Sequence, residues 1–266
     1  QMLRSLLFIC VLVYLDDVLL YAKTEEELCA AIAKVLQLFE RFGVKLKPGK
    51  CDLFCRYLVW CGHSISAEGI GVNPAFVSSV ESIPMPTNAS ELRQFVAACN
   101  WVRGKLPCFA TLVEPLQQLL TKALATRKSK KSQSICKVLL SSVGWGPIHD
   151  KAFETLKAAI ANTVRLAHLD DDKVVCLIPD ASDKFWGSML TQVPEADAIS
   201  AKPIADWAHE PLGFLSGCFR GASERWGIPD KEAYAIRVSC EKFAHLLIRR
   251  KGFRLFTDHR NLIYIF

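Results

Sequence analysis

Two aspartates stand side by side at Asp16 and Asp17, between an apolar run ending at Leu15 and another running from Val18 to Tyr21. Adjacent carboxylates repel each other and favour no fold by themselves. Such a pair has two readings. One is a plain Asp-Asp turn. The other is a seat for hard divalent cations, which take oxygen ligands. Two metals about 4 Å apart activate the attacking oxygen and stabilise the leaving one in phosphoryl transfer. Further along, Asp180 closes a β-branched run, Glu232 sits early in a helical pattern, and Asp258 closes a later apolar run. Three acids at element boundaries would serve the same two-metal chemistry if they met at one sheet edge. Spacing alone argues little here, because 27 acidic residues supply many such triples. Asp183 reads as a turn residue.

The elements that must position these acids follow from pattern. Ile9 to Ala22 reads as two apolar strands joined at Leu15-Asp16-Asp17. Thr24 and Glu27 form a capping box for a helix carrying Leu28, Ile32, Val35, Leu36, Phe39 and Phe42, stopped at Gly43. Phe54 to Trp60 and His63 to Ile65 read as short strands around Gly62. The Pro84, Pro86, Thr87, Asn88 cluster marks a boundary. Helices are expected over Ser90 to Val102 and Phe109 to Ala125, with Pro115 as a kink or as the true start. Thr126 to Ser134, with Arg127, Lys128, Lys130 and Lys131, reads as a solvated basic linker. Then come a helix over Pro147 to Ala161 and strands at Val174 to Ile178, Gly187 to Val193 and Leu212 to Phe219. A helix over Asp230 to Ile248 and a strand over Phe253 to Thr257 complete the series.

Bulk properties set the frame. The chain has 266 residues, 51% hydrophobic, with 33 basic against 27 acidic side chains and a formal charge of +6. This is ordinary globular composition, and the mild basic excess suits a nucleic-acid partner without demanding one. Eleven cysteines are scattered without a CxxC pair. Cys51, Cys55, Cys61 and His63 form the nearest group, whose spacing fits no usual zinc site, so the thiols read as reduced core and surface residues of an intracellular protein. Met2, Arg4 and the run Leu6 to Leu15 resemble a short secretory signal. The run ends in Asp16-Asp17, no A-x-A site follows, and apolar residues resume at Val18, so a hairpin is the better reading and secretion is not expected. No stretch approaches the roughly 20 apolar residues of a membrane span.

Set in its surroundings, Tyr14-Leu15-Asp16-Asp17 resembles the YxDD motif of reverse transcriptases. The resemblance continues through Gly43-Val44-Lys45-Leu46, Lys50-Cys51, Cys61-Gly62-His63-Ser64-Ile65-Ser66 and Gly69-Ile70, in the order of gypsy-type LTR retrotransposons. Pro84-Met85-Pro86 and Leu92-Arg93-Gln94-Phe95 extend it into a thumb or connection region. It implies that Asp16 and Asp17 belong to the polymerase metal site, Asp16 being the more direct ligand, and that Cys61 to Ser66 lies near the hairpin gripping the primer end. The family's further aspartate and its fingers would lie before Gln1, and polymerase activity is not expected of this chain alone.

The last third resembles the RNase H domain of the same elements. Asp180-Ala181-Ser182-Asp183 with Gly187-Ser188-Met189-Leu190-Thr191-Gln192 resembles its opening. Lys231-Glu232-Ala233-Tyr234-Ala235-Ile236 resembles its catalytic helix, and Phe256-Thr257-Asp258-His259-Arg260-Asn261-Leu262 its third-carboxylate strand. Gly144-Trp145 and Ala152 to Lys157 match its lead-in helix. This implies Mg²⁺ (or Mn²⁺) held by Asp180, Glu232 and Asp258, and hydrolysis of the RNA strand in an RNA–DNA hybrid recognised by shape and 2′-OH. Arg220, Arg225, Arg249, Arg250, Lys251 and Arg254 would either track phosphates or form a solvated surface. The family's fourth acid would fall after Phe266.

The expected fold is therefore α+β. A partial palm (1–72) precedes a helical thumb or connection (73–143) and an RNase H-like α/β domain with a mixed sheet (144–266), incomplete at its carboxyl end. The implied partners are RNA–DNA hybrid, primer–template nucleic acid and the remainder of a Pol polyprotein. A decayed or domesticated copy, binding nucleic acid without catalysis, is the alternative; hybrid binding without metal-dependent cleavage would distinguish it.

Overall fold

The structure, a computed structural model, describes residues 2–126, 135–259 and 262. The basic run at 127–131 lies outside the described residues. The fold is α+β, as the sequence implied, and divides into two compact units, Gln1–Ala67 and Glu68–Phe266.

The first unit begins with a hairpin of β1 (Val11–Tyr14) and β2 (Asp17–Leu20), paired from Val11↔Leu20 to Tyr14↔Asp17. The loop is thus only Leu15-Asp16, and Asp17 already opens the second strand. Leu15 adopts φ +53° to make so tight a turn, a strained conformation for a branched residue. Helix α1 (Glu25–Arg41) buries Ala31, Val35 and Phe39, and Val35 and Phe39 pack with Leu3 and Val11. Its cap is the expected one, Thr24 Oγ1 accepting from the Glu27 amide at 3.2 Å. The reciprocal bond runs to Lys23 N rather than to Thr24 N. A second hairpin, β3 (Tyr57–Trp60) and β4 (His63–Ser66), turns at Cys61-Gly62, both with positive φ.

The second unit opens with β5 (Gly69–Val72), whose Ile70 exchanges backbone bonds with Leu166. Gly69 is required there: at φ +129° a Cβ would come within 2.2 Å of the Leu166 carbonyl oxygen. Helices α2 (Pro74–Glu81), α3 (Ala89–Trp101), α4 (Phe109–Ala125), α5 (Leu140–Val143) and α6 (Pro147–Ala161) follow. Helix α2 is not among the elements expected from the sequence, although Asn73-Pro74 is a cap followed by proline at the first helical position. Pro115 lies inside α4 and does not begin it. Leu92, Phe95, Leu116, Phe153, Leu156 and Ile160 form the helical core, with the Phe95 and Phe153 rings 4.3 Å apart.

The chain then builds β6 (Val174–Ala181), β7 (Phe185–Val193), the short helix α7 (Glu195–Ala198) and β8 (Glu210–Cys218). Helices α8 (Ile228–Lys242) and α9 (Ala244–Leu247) and the two-residue β9 (Arg254–Leu255) follow. The long helix expected to reach Ile248 is interrupted at Phe243. The sheet order is β8-β7-β6-β9, antiparallel except for the parallel β6–β9 pair. Val175, Leu177 and Leu190 meet Phe243 and Leu247 in its core.

Pro179 explains why β9 is so short. The Leu177 carbonyl accepts from Phe256 N at 3.0 Å, so the odd-numbered residues of β6 turn their backbone groups toward β9. Pro179 is the next such residue and has no N–H to give, and the ladder stops. The sequence reading ended the strand at this proline; antiparallel pairing with β7 carries it on to Ala181↔Trp186.

Candidate functional site

Each of the three downstream acids sits where a different element ends or begins. Asp180 is the penultimate residue of β6 and is exposed. Asp258 is exposed three residues beyond β9. The β6–β9 register pairs Cys176 with Arg254 and Leu177 with Leu255. Continued past the end of the ladder, the same register sets Asp258 level with Asp180, at a strand spacing of about 4.8 Å. Glu232 comes from the first turns of α8, the helix that packs on β6, and is 3% exposed.

The burial of Glu232 has a backbone cause. Beyond Pro179 the next amide on the β9 side of β6 is that of Ala181, left without a ladder partner. It donates to Glu232 Oε1 at 3.1 Å. Oε2 of the same carboxylate is buried and has no partner among the described residues. Burial pushes the Glu232 carboxyl above the ordinary carboxylate range. The charges of Asp258 and Asp180 push it further, while the Ala181 amide and His259 pull the other way. The structure thus brings Asp180 and Asp258 each within electrostatic reach of Glu232. An orphaned carboxylate oxygen between two exposed acids is a donor set for a hard cation. Among the described residues no three His, Cys, Asp or Glu side chains are grouped tightly enough to coordinate one ion. What fits, then, is the chemistry of the donors and the alignment of their backbone positions.

In the first unit, Asp16 lies in the two-residue turn and Asp17 at the first position of β2, both exposed. Burial raises the Cys61 thiol, and the Asp17 charge adds to it, so the Cys61-Gly62 turn lies within electrostatic reach of the aspartate hairpin. Cys51, Cys55, Cys61 and His63, whose spacing fits no usual zinc site, form no metal-binding group among the described residues. Cys51 and Cys55 are exposed, their thiols on the carbonyls of Lys47 and Leu53, and all eleven cysteines are free.

Several basic side chains expected at phosphates are engaged within the protein. Arg249 contacts Asp171 Oδ1 at 3.2 Å, Lys251 faces Asp172 at 3.7 Å, Arg220 holds Glu114 at 3.0 Å, and Arg254 bonds the Ala198 carbonyl. Arg225 and Arg250 are exposed. The sequence reading also missed Lys231, which is 1% exposed and holds Asp183. A signal was present: Lys231 shares a helical face with Ala235 and Val238, an inward stripe where a lysine is out of place.

Residues 1–94 match the family model described as reverse transcriptase (RNA-dependent DNA polymerase). Residues 170–266 match the RNase H-like domain found in reverse transcriptase. The Transposon Tf2-3 and Tf2-4 polyproteins of Schizosaccharomyces pombe are each 28% identical over 254 residues, or 95% of this chain. The chain spans 17% of the length of those relatives. Among solved structures, a foamy viral protease-reverse transcriptase dRH in complex with double-stranded DNA superposes with a TM-score of 0.76 at 17% identity. That match covers all of this chain and 42% of the other. A foamy viral protease-reverse transcriptase in complex with RNA/DNA hybrid gives 0.70 at 17% identity, over 92% of this chain and 29% of the other. Residues 1–94 are therefore similar to reverse transcriptases and residues 170–266 to the RNase H-like domain found in them, colinear with a stretch of transposon polyproteins.

Proposed function

We propose that the RNase H-like domain hydrolyses the RNA strand of an RNA–DNA hybrid, with Asp180, Glu232 and Asp258 holding Mg²⁺ (or Mn²⁺). The observation that carries this reading is Glu232: a buried acid with one oxygen on the Ala181 amide, the other without a partner among the described residues, and Asp180 and Asp258 close enough to raise it. Bound divalent metal would supply activation of the attacking water and neutralisation of the leaving oxygen. The chain's own share is positional. The Ala181 amide fixes Glu232, β6 carries Asp180, and the register of β9 continued past its end sets Asp258 level with it. Asp16 and Asp17 are proposed as members of the DNA-polymerising metal site, contacting primer–template at the hairpin tip. In this reading the palm covers 1–72, the thumb or connection 73–143 and the RNase H-like domain 144–266. The parent is proposed to be an intracellular Pol polyprotein of gypsy type.

The test is cleavage of an end-labelled RNA–DNA hybrid by the chain and by Asp180→Asn. Mg²⁺-dependent cleavage by the parent alone is expected, with an all-DNA duplex left intact. Equal cleavage by both proteins would overturn the site.

A further inference from the structure

Lys231 is the most deeply enclosed cation among the described residues of the RNase H-like domain, its side chain only 2% exposed. Its Nζ donates to the Asp183 carbonyl oxygen at 2.6 Å and to Asp183 Oδ1 at 2.8 Å. It also lies 5.4 Å from the centre of the Phe219 ring. Asp183, by contrast, is at the surface with 79% of its side chain exposed. The hydrogen bond from Lys231 and its charge hold the Asp183 carboxyl below the ordinary range. Enclosing an ammonium gains little stability, because the desolvation cost of the ion offsets most of the attraction, and an apolar side chain of similar length would pack there more favourably. What the ammonium does give is direction: three donors fixed at the end of a stem locked in the core.

The direction is telling. Lys231 and Glu232 are consecutive on α8, and they grip two points of one short segment. Lys231 takes Asp183, in the turn between β6 and β7. Glu232 takes the Ala181 amide, at the end of β6. Between them the segment from Ala181 to Asp183, directly after Asp180, is pinned at both ends to the same helical turn. The turn itself is closed by Ser182 N on the Phe185 carbonyl at 2.8 Å, so it moves as one piece.

We infer that Lys231 is a positioning residue, which through Asp183 locks the β6–β7 turn against α8 and thereby sets Asp180 against Glu232. The inference rests on the metal-site reading of these acids given above. It assigns Asp183 a role in alignment, not in ligation and not merely in the turn.

The experiment compares the full chain with Lys231→Met, Lys231→Arg, Asp183→Ala and the Lys231→Met/Asp183→Ala double variant. Two quantities are read: hybrid cleavage across a Mg²⁺ series, and the Mg²⁺-induced rise in melting temperature, which needs no turnover. Lys231→Met is expected to lower kcat about tenfold or more, with hybrid KM within about twofold, and to raise the Mg²⁺ needed for half-effect several-fold in both readouts. Asp183→Ala should move the same way but less, since its carbonyl remains as an acceptor. The double variant should be no worse than Lys231→Met, because both changes break one contact. Lys231→Arg should recover part of the loss. Asp183 is exposed, so its variant folds even if Lys231→Met does not. Parent cleavage that depends on Asp180, together with an unchanged Mg²⁺ response in Asp183→Ala and in any folded Lys231 variant, overturns this role alone. Absence of Asp180-dependent cleavage in the parent overturns the site reading and this role with it.

Discussion

The amide of Ala181 donates to Glu232 Oε1 at 3.1 Å, across 51 residues of sequence, at the point where Pro179 has ended the ladder between β6 and β9. One backbone group left over by a proline thus fixes the carboxylate at the centre of the proposed site. It also buries that carboxylate, and the burial has a cost that can be measured.

Glu232 is held above the ordinary carboxylate range chiefly by burial, then by Asp258 and Asp180. An acid whose folded value is raised favours the fold below the unfolded value, and that favour is lost as pH climbs through the raised value. At neutral pH the ionised form therefore opposes folding. Glu232→Gln keeps an acceptor for Ala181 and drops the charge. It should melt a few degrees higher than the parent at pH 7, with about 2–4 °C expected per kcal/mol in a unit of this size. The gain should vanish below about pH 4, where both states carry the proton. Cleavage should be lost at the same time. Calorimetric melting at both pH values checks this, and a lower melting point at pH 7 would count against it.

Lys105 offers a second titration, remote from the acids. It is 4% exposed, its Nζ donates to the Ile70 carbonyl at 2.7 Å, and burial lowers its ammonium to about 8. Stability contributed by the neutral amine is present above the unfolded value of 10.5 and lost as pH falls toward 8. At pH 7 the charged form opposes folding by up to roughly 3 kcal/mol. Lys105→Met should raise the midpoint of urea unfolding at pH 7, and the advantage should shrink between pH 8 and pH 10.5. The Ile70 carbonyl keeps the Leu166 amide at 3.1 Å, so no acceptor is orphaned.

Helix α4 has no capping side chain of its own. Cys108 at its N-cap sits at φ +52°, and the buried Ala110 amide is met by Ser216 Oγ of β8 at 2.9 Å. The helical segment before the RNase H-like domain is thereby tied to that domain's edge strand. Ser216→Ala should cost about 1–3 kcal/mol, the usual penalty of an unpaired buried donor. Denaturant unfolding would show this as a lower midpoint with an unchanged slope; a midpoint equal to the parent's would refute the capping role.

Much of this was legible in the sequence, for reasons that differ by residue. The α1 cap at Thr24 and the helix over Pro147 to Ala161 follow from local pattern, since each depends on neighbours within a few residues. The three acids were candidates from type and position at element ends, and the resemblance to a known domain singled them out from the other acidic residues. What the pattern did not reveal depends on contacts across the chain. Pro179 reads as a strand terminator until pairing with β7 carries β6 past it to Ala181. Lys231 stands out on the inward stripe of its helix, but its partner Asp183, 48 residues away, is given only by the fold. The interruption of the last long helix at Phe243 follows from no breaker in the sequence; that ring packs into the sheet core beside Leu247, against Gly213.

The central claim is that Asp180, Glu232 and Asp258 form one divalent-cation site. Calorimetric titration of Mg²⁺ into the full chain tests it directly, beside Asp180→Asn, Glu232→Gln and Asp258→Asn, with Asp230→Asn on the exposed start of α8 as the control. Each of the three substitutions is predicted to weaken Mg²⁺ binding at least tenfold, and the control to leave it unchanged. Parent-like binding in all three would contradict the account.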